Sequence, residues 1–230
     1  MKLVKLFIVA AVLAVATPAF SQDVNFGVLA GFNSSNASVK IAGNDVDDLK
    51  TKLGLNIGAF VDFNFSEKLA LETGLQFEQK GHKYEEEIAS GFGFSIKFTT
   101  KTNINYLTIP VNARLNLPLG EKNLYFLAGP TLGIAISGKQ TLDGDDDDDD
   151  DDMEFDEEDD DDDKLKFGNE DDCNYRRLNI GARFGVGFEF SNKLGIRCTY
   201  DLGLSNLVPK GDSDNSYKSK AFGIALTYKF

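Results

Sequence analysis

The chain has 230 residues and a formal net charge of −13, with 22 glycines, 19 phenylalanines and two cysteines. Glycine and phenylalanine are typical of turns and strands, and a chain of this length is sufficient for one closed sheet. Beyond residue 21 no apolar stretch approaches the ~20 residues of a membrane-spanning helix, which leaves a soluble secreted protein or a membrane β-barrel.

Residues 1–21 have the features of a signal peptide. Lys2 and Lys5 precede an apolar run from Leu6 to Ala16, and small residues follow at the positions that a signal peptidase reads. The run is shorter than a membrane anchor requires. We therefore predict cleavage after Ser21 and a single β-barrel domain over residues 22–230.

Eight segments of this domain alternate apolar with small or polar side chains, which is the period of a β-strand. Three of the connections between them are short turns, around residues 66–68, 118–123 and 191–193. Four are longer and run through about residues 34–52, 81–103, 138–174 and 206–216. Short periplasmic turns, long external loops and an even strand count are typical of outer-membrane barrels. We predict an all-β fold: an eight-stranded antiparallel up-and-down transmembrane barrel with long extracellular loops.

A soluble lipocalin-like barrel would show the same alternation with its apolar face inward. Charge placement favours the membrane, because one face of the strands is almost free of charge while the other carries charged residues among many glycines. Aromatic residues of the apolar face gather near the short turns, as in an interfacial girdle. We interpret Tyr228 and Phe230, at the end of the last strand, as the signal for membrane insertion by barrel-insertion machinery. The predicted location is the outer membrane of a Gram-negative bacterium, among its lipids.

Inward charges are expected to pair with one another, because the interior of an eight-stranded barrel is just wide enough for side chains. A symmetric turn between predicted strands six and seven places Arg183 opposite Asp201. The turn between strands two and three places Asp62 opposite Glu72, with Arg114 as the candidate cation between them. We interpret the network as a polar plug, and a solute-conducting constriction is the alternative. The predicted lumen network consists of Asp62, Glu72, Arg114, Arg183, Arg197 and Asp201.

One stretch of the chain is strongly acidic. Between Asp143 and Asp172 there are 21 acidic residues and two lysines, so the stretch carries −19 and the remainder of the −13 chain carries +6. Charge at this density repels itself, which predicts a disordered acidic extracellular loop over residues 140–173. The loop either attracts calcium or magnesium weakly or is simply solvated; its sign disfavours nucleic acid and favours a cationic or cell-surface protein partner. The candidate cation ligands are Asp145, Asp147, Asp149, Asp159 and Asp161.

Four other stretches are distinctive: LALETGLQFEQKG at 69–81, INYLTIPVNARLNL at 104–117, LYFLAGPTLGIAISGK at 124–139 and YDLGLSNL at 200–207. They resemble the porin-family outer membrane β-barrel domain, also called PorT-like. The resemblance implies an eight-stranded outer-membrane barrel without catalytic residues, and some relatives are linked to protein secretion or gliding machinery. The acidic tract departs from the family pattern.

No catalytic motif accompanies the strands. His82 is the single histidine, next to Lys80 and Lys83, and it is expected to be a surface residue with no nucleophile tied to it by spacing. We predict no enzymatic activity and no cofactor, with lipid-modifying chemistry as the weakest hypothesis. The leading interpretation is a monomeric structural or interaction barrel with a mostly plugged lumen. The alternative is a narrow porin-like channel for small solutes or cations.

Overall fold

The computed structural model describes residues 23–46, 49–90, 94–144, 164–170, 172–191 and 193–230. Among these residues, no helix has the length and apolar character required to cross a membrane. The strands in the described residues are β1 (Asp23–Ile41), β2 (Asn44–Val46), β3 (Leu49–Asn64), β4 (Leu69–Ser90), β5 (Phe94–Leu119), β6 (Lys122–Gly144), β7 (Leu178–Glu189), β8 (Leu194–Gly203) and β9 (Ser216–Lys229).

The eight long strands form a closed antiparallel ring. Each pairs with its neighbour in the chain, in the order β1-β3-β4-β5-β6-β7-β8-β9, and β9 pairs back onto β1. The short strand β2 lies outside the ring and folds onto the end of β1, with Val46 opposite Val39. Closure leaves no open sheet edge in the ring. The predicted eight-stranded up-and-down barrel is confirmed.

Where the structure describes their burial, the side chains of the long strands alternate between the lumen and the outer surface. On β9, Ala221 and Ala225 are buried, while Phe222 and Leu226 point outward and are 47% and 63% exposed. An outer surface of this kind suits hydrocarbon, whereas the lumen collects polar and charged groups. The soluble lipocalin-like alternative was wrong, because it requires the apolar face to point inward. The exposed aromatic residues near the short turns include Phe26, Phe65, Phe190 and Phe230.

The strands extend further on the long-loop side than the sequence predicted. β4 and β5 remain paired as far as Ser90 and Phe94, so the expected loop at 81–103 is a β-hairpin over nearly its whole length. Residues 34–41 and 49–52, expected in another loop, belong to β1 and β3. From Gln79 to Glu87 the chain reads QKGHKYEEE, which has no period in hydrophobicity and therefore predicts a loop, although backbone pairing continues through it.

The acidic stretch also has different limits from those predicted. β6 continues to Gly144, and residues 164–170 lie back against the barrel, where the Leu165 amide donates to the Gly138 carbonyl over 2.9 Å. Leu165 is itself buried. The prediction of disorder over 140–173 was therefore wrong at both ends, because apolar and backbone contacts hold those residues. Residues 145–163 lie outside the described residues.

Candidate functional site in the lumen

The lumen contains two layers of buried charge. The lower layer, nearer the short turns, and the upper layer each combine equal numbers of described cations and carboxylates, so each is electrically neutral. Pairing of this kind is what permits charges in a lumen without bulk water. The lower layer consists of Asp62, Glu72, Glu189, Arg114, Arg197 and Lys229, and the upper layer of Glu78, Asp201, Lys80 and Arg183.

The upper layer is organised around Arg183. This residue lies directly opposite Asp201 and donates from Nε and Nη2 to its two carboxylate oxygens over 2.6 and 2.7 Å. Its Nη2 also contacts Glu78 at 2.5 Å, and its Nη1 donates to the Gln76 side-chain carbonyl over 2.6 Å. The Lys80 ammonium lies 2.8 Å from both Glu78 and Asp201. Each carboxylate therefore meets two cations.

In the lower layer, two carboxylates face each other and are neutralised by nearby cations. Asp62 and Glu72 face each other across β3 and β4, and Arg114 Nη1 lies 3.1 Å from the first and 3.4 Å from the second. Arg197 donates to both oxygens of Glu72 over 2.9 and 2.6 Å. Lys229 lies 2.9 Å from Asp62. The repulsion between the two carboxylates is thus offset by three cations.

Tyr125 joins the two arginines of the lower layer. It is fully buried, its ring centroid lies 3.7 Å from Arg114 Cζ, and its hydroxyl accepts from Arg197 Nε over 3.1 Å. Gly187 lies opposite it on β7 and leaves room for the ring, since a Cβ there would lie 2.1 Å from Tyr125 Cζ. The cation–π contact and the hydrogen bond orient both guanidinium groups.

The structure brings together all six residues of the predicted network, although in two layers. It also adds members that the sequence analysis left out. The sequence could have identified these members, because the two-residue period of a strand places each of them on the inward face. Only the contacts across the lumen required the structure. The added members are Glu78, Lys80, Tyr125, Glu189 and Lys229.

An aromatic and apolar cap covers the upper layer. Leu165 packs against Tyr106 in one cluster, and Leu207 packs with Tyr217 in a second. Tyr175 contacts both clusters, and its ring centroid lies 5.1 Å from that of Tyr217. Described residues between Lys164 and Tyr175, together with the segment that follows β8, therefore cover the long-loop end of the lumen.

His82 lies beneath this cap and not on the surface. It is 7% exposed, and its Nδ1 lies 3.1 Å from the Tyr217 hydroxyl. The predicted surface position was wrong because β4 continues past the apolar belt, whose last outward residue on this strand is Phe77, and keeps position 82 inward. Burial lowers the pKa of His82 to about 4.

The short-turn end of the lumen opens into a recess of about 700 Å³. Its lining includes Asn116 and Asn123, and its floor is the ion pair of Glu189 and Lys229, 2.8 Å apart. Arg114, the next lumen residue beyond the floor, is 1% exposed. The recess therefore ends at the lower layer.

The remaining predicted site residues lie elsewhere. Tyr228 and Phe230 are on the outer surface, with ring centroids 5.5 Å apart, and the Phe230 amide donates to the Phe26 carbonyl over 3.0 Å. Within the described ranges, no group of three or more histidine, cysteine or acidic side chains could hold a metal ion. The candidate cation ligands Asp145, Asp147, Asp149, Asp159 and Asp161 lie outside the described residues.

Comparison with known proteins gives one family match. The model of the outer membrane protein beta-barrel domain family matches residues 20–208. Among solved structures, Ail of Yersinia pestis is 13% identical, with 90% of this chain and 99% of that chain covered and a TM-score of 0.42. Neisserial surface protein A is 11% identical, with coverages of 90% and 99% and a TM-score of 0.45. OprG of Pseudomonas aeruginosa is 13% identical, with coverages of 91% and 97% and a TM-score of 0.42. No curated protein matches the sequence.

Proposed function

The chain belongs to the outer membrane protein beta-barrel domain family, and from this premise we propose that it is a non-conducting barrel of the structural or interaction type. It lies in the outer membrane of a Gram-negative bacterium. The filled lumen carries the proposal: Arg114 and Arg183 are 1% exposed, and Glu72 and Glu78 are 0% exposed. A lumen whose charges are excluded from water offers no path to a hydrated solute.

The energetics of the two layers support this function. A solute passing the upper layer would have to separate Arg183 from Asp201 and Glu78, and each would then be a buried charge without its partner. Separating such a pair costs about 3–5 kcal/mol in proteins, and the lower layer would impose a second cost of the same kind. Opening either layer to a solute is therefore unfavourable.

A closed barrel acts through its surfaces. Here β4 and β5 form a hairpin that extends well beyond the apolar belt on the extracellular side. Such a hairpin, together with the acidic stretch, is suited to contact a cationic or cell-surface protein. Four stretches of the sequence resemble the PorT-like porin group of the family, and on that basis we propose that the chain belongs to this group. We further propose that the protein is a monomer without enzymatic activity or a resident cofactor. Its acidic stretch binds calcium or magnesium weakly.

A narrow channel is the second candidate, and one observation favours it. Several buried amide atoms in the lumen lack a hydrogen-bond partner among the described residues: Asn33 Nδ2, Asn56 Oδ1, Gln76 Nε2 and Asn112 Oδ1. Buried polar atoms of this kind are normally satisfied by internal water. Water bound to these atoms, beside the ion-pair layers, would be the starting point of a narrow path for cations.

Planar bilayer recordings decide between the two candidates. The mature protein, residues 22–230, is compared with the same protein lacking residues 145–163, and a known porin serves as the control for insertion. We expect neither form of this chain to give discrete openings. Openings in the full-length protein would contradict the closed barrel, and a change in their cation selectivity on deletion would make the acidic stretch part of a channel.

A further inference from the structure

The outer surface of β9 changes from apolar to basic where the apolar belt ends. Phe222 and Ile224 are each 47% exposed on this surface, and the next two outward positions toward the extracellular end are Lys220 and Lys218. Outward positions recur every second residue, about 7 Å along the strand. The two ammonium groups therefore follow directly above the hydrocarbon-facing side chains.

The neighbours of these lysines on the barrel surface are neutral. Lys220 is opposite Asn36 on β1 and Leu202 on β8, and Lys218 is opposite Ser38. We call the outer surface formed by Lys218, Lys220, Asn36, Ser38 and Leu202 the β9 rim. It combines two cations with an apolar edge.

Neither lysine of the β9 rim forms an ion pair within the described part of the chain. The acidic residue Asp212 in the adjoining loop is engaged in its own turn, where it accepts from the amides of Asp214 and Asn215 over 3.0 and 2.9 Å. Among the described residues, no carboxylate therefore neutralises the charge of Lys218 or Lys220.

Two other lysines on the outer surface are neutralised by carboxylates. Lys50, on the outer surface of β3, lies against the carboxylate of Glu85 on β4. Lys40, further up β1, lies 3.5 Å from Asp45. Lys50 and Lys40 thus have carboxylate partners, whereas the lysines of the β9 rim have none among the described residues.

We infer that the β9 rim binds the phosphate groups of lipid head groups in the outer leaflet. The rim lies at the long-loop end, just above the belt, which is where head groups of that leaflet meet the protein. Lysine is a point-charge ligand for phosphate. The apolar side chains of Leu202 and Phe222 lie beside and below it, where the acyl chains of the same lipid begin. Charge, position and apolar contact thus fit one occupant, a phosphorylated lipid.

The test measures lipid binding by the reconstituted mature protein. The probe is bisphosphorylated lipid A in phosphatidylcholine vesicles, and the variant is K218Q/K220Q. Basic residues at a charged membrane surface each contribute on the order of 1 kcal/mol, so two substitutions should weaken lipid A binding about 25-fold, and added salt should reduce the difference. The matched control is K68Q/K193Q, which removes two exposed lysines from the periplasmic turns and should leave binding unchanged.

Three results would overturn the inference. The first is equal binding by K218Q/K220Q and the unmodified protein. The second is an equal loss in K68Q/K193Q, which would mean that overall charge is responsible. The third is competition by inorganic phosphate at the concentration where lipid A binds, which would indicate a site for free anions. If K218Q/K220Q does not fold, the unmodified protein is tested with lipid A stripped of its phosphates, and undiminished binding would overturn the inference equally.

Discussion

Arg183 on β7 and Asp201 on β8 occupy directly opposite positions in the lumen, and two hydrogen bonds of 2.6 and 2.7 Å join the guanidinium to both carboxylate oxygens. Their side chains are 1% and 10% exposed. Because both side chains are largely excluded from water, water cannot replace either partner if the ion pair is broken. Glu78 depends on the same guanidinium, at 2.5 Å.

Replacing Arg183 with methionine should destabilise the barrel by about 3–5 kcal/mol, because Asp201 and Glu78 both lose a buried cation. Urea unfolding in lipid vesicles measures the change. Arg177→Met is the control, since that side chain is exposed and its loss should change the free energy of unfolding by less than about 0.5 kcal/mol. Equal stability of the two variants would contradict the role of Arg183 as the cation that holds the upper layer together.

Adding a methyl group at Gly187 should destabilise the lower layer by about 1–3 kcal/mol, because the new Cβ would lie 2.1 Å from Cζ of the buried Tyr125 ring. The effect is measured as the change in the urea midpoint for Gly187→Ala. In a Tyr125→Leu background the same change should be neutral or slightly stabilising, since alanine restricts the unfolded chain. If Gly187→Ala still lowered the urea midpoint in that background, the destabilisation would not come from contact with the Tyr125 ring.

Two leucines near the start of the last loop should respond differently to truncation. Leu207 is fully buried in the cap and Leu204 is 54% exposed on the outer surface. Leu207→Ala should cost about 2–4 kcal/mol, because it leaves a cavity beside Tyr217. Leu204→Ala should cost less than about 1 kcal/mol. Thermal unfolding of the two variants, monitored by circular dichroism, tests whether the cap is part of the cooperative structure; equal losses would contradict it.

Acid should weaken the folded state through His82. Its pKa is lowered from 6.5 to about 4 by burial, so between these values the unfolded chain takes up a proton that the folded chain does not. Stability should therefore fall by about 3 kcal/mol as the pH drops from 6.5 to 4, with no contribution from this group above that window. The imidazole resonances of the single histidine report its titration by NMR.

The control for this prediction is His82→Gln, which should lose that part of the pH dependence while the carboxylates retain theirs. A titration midpoint near 6.5 would contradict burial beneath the cap.

The sequence alone determined the barrel and its two faces. Alternation along eight segments is a local property, and the contrast between hydrocarbon outside and a polar lumen makes it sharp. Tight turns also set register locally, which is why the opposition of Arg183 and Asp201, and of Asp62 and Glu72, could be read from the chain. Above the apolar belt that contrast disappears, and the strand ends at Ser90 and Phe94 could not be read in this way.

Tertiary structure alone decided which inward groups meet across the lumen. Arg197 reaches Glu72 over a separation of 125 residues, and Lys80 reaches Asp201 over 121. Alternation assigns each of these residues to the inward face, but their relative heights depend on the stagger of all the strands between them as the ring closes. The burial of His82 likewise depends on the distant segment that contributes Leu165 and Tyr175 to the cap. A local period carries no information about such contacts, because they exist only once the sheet has closed on itself.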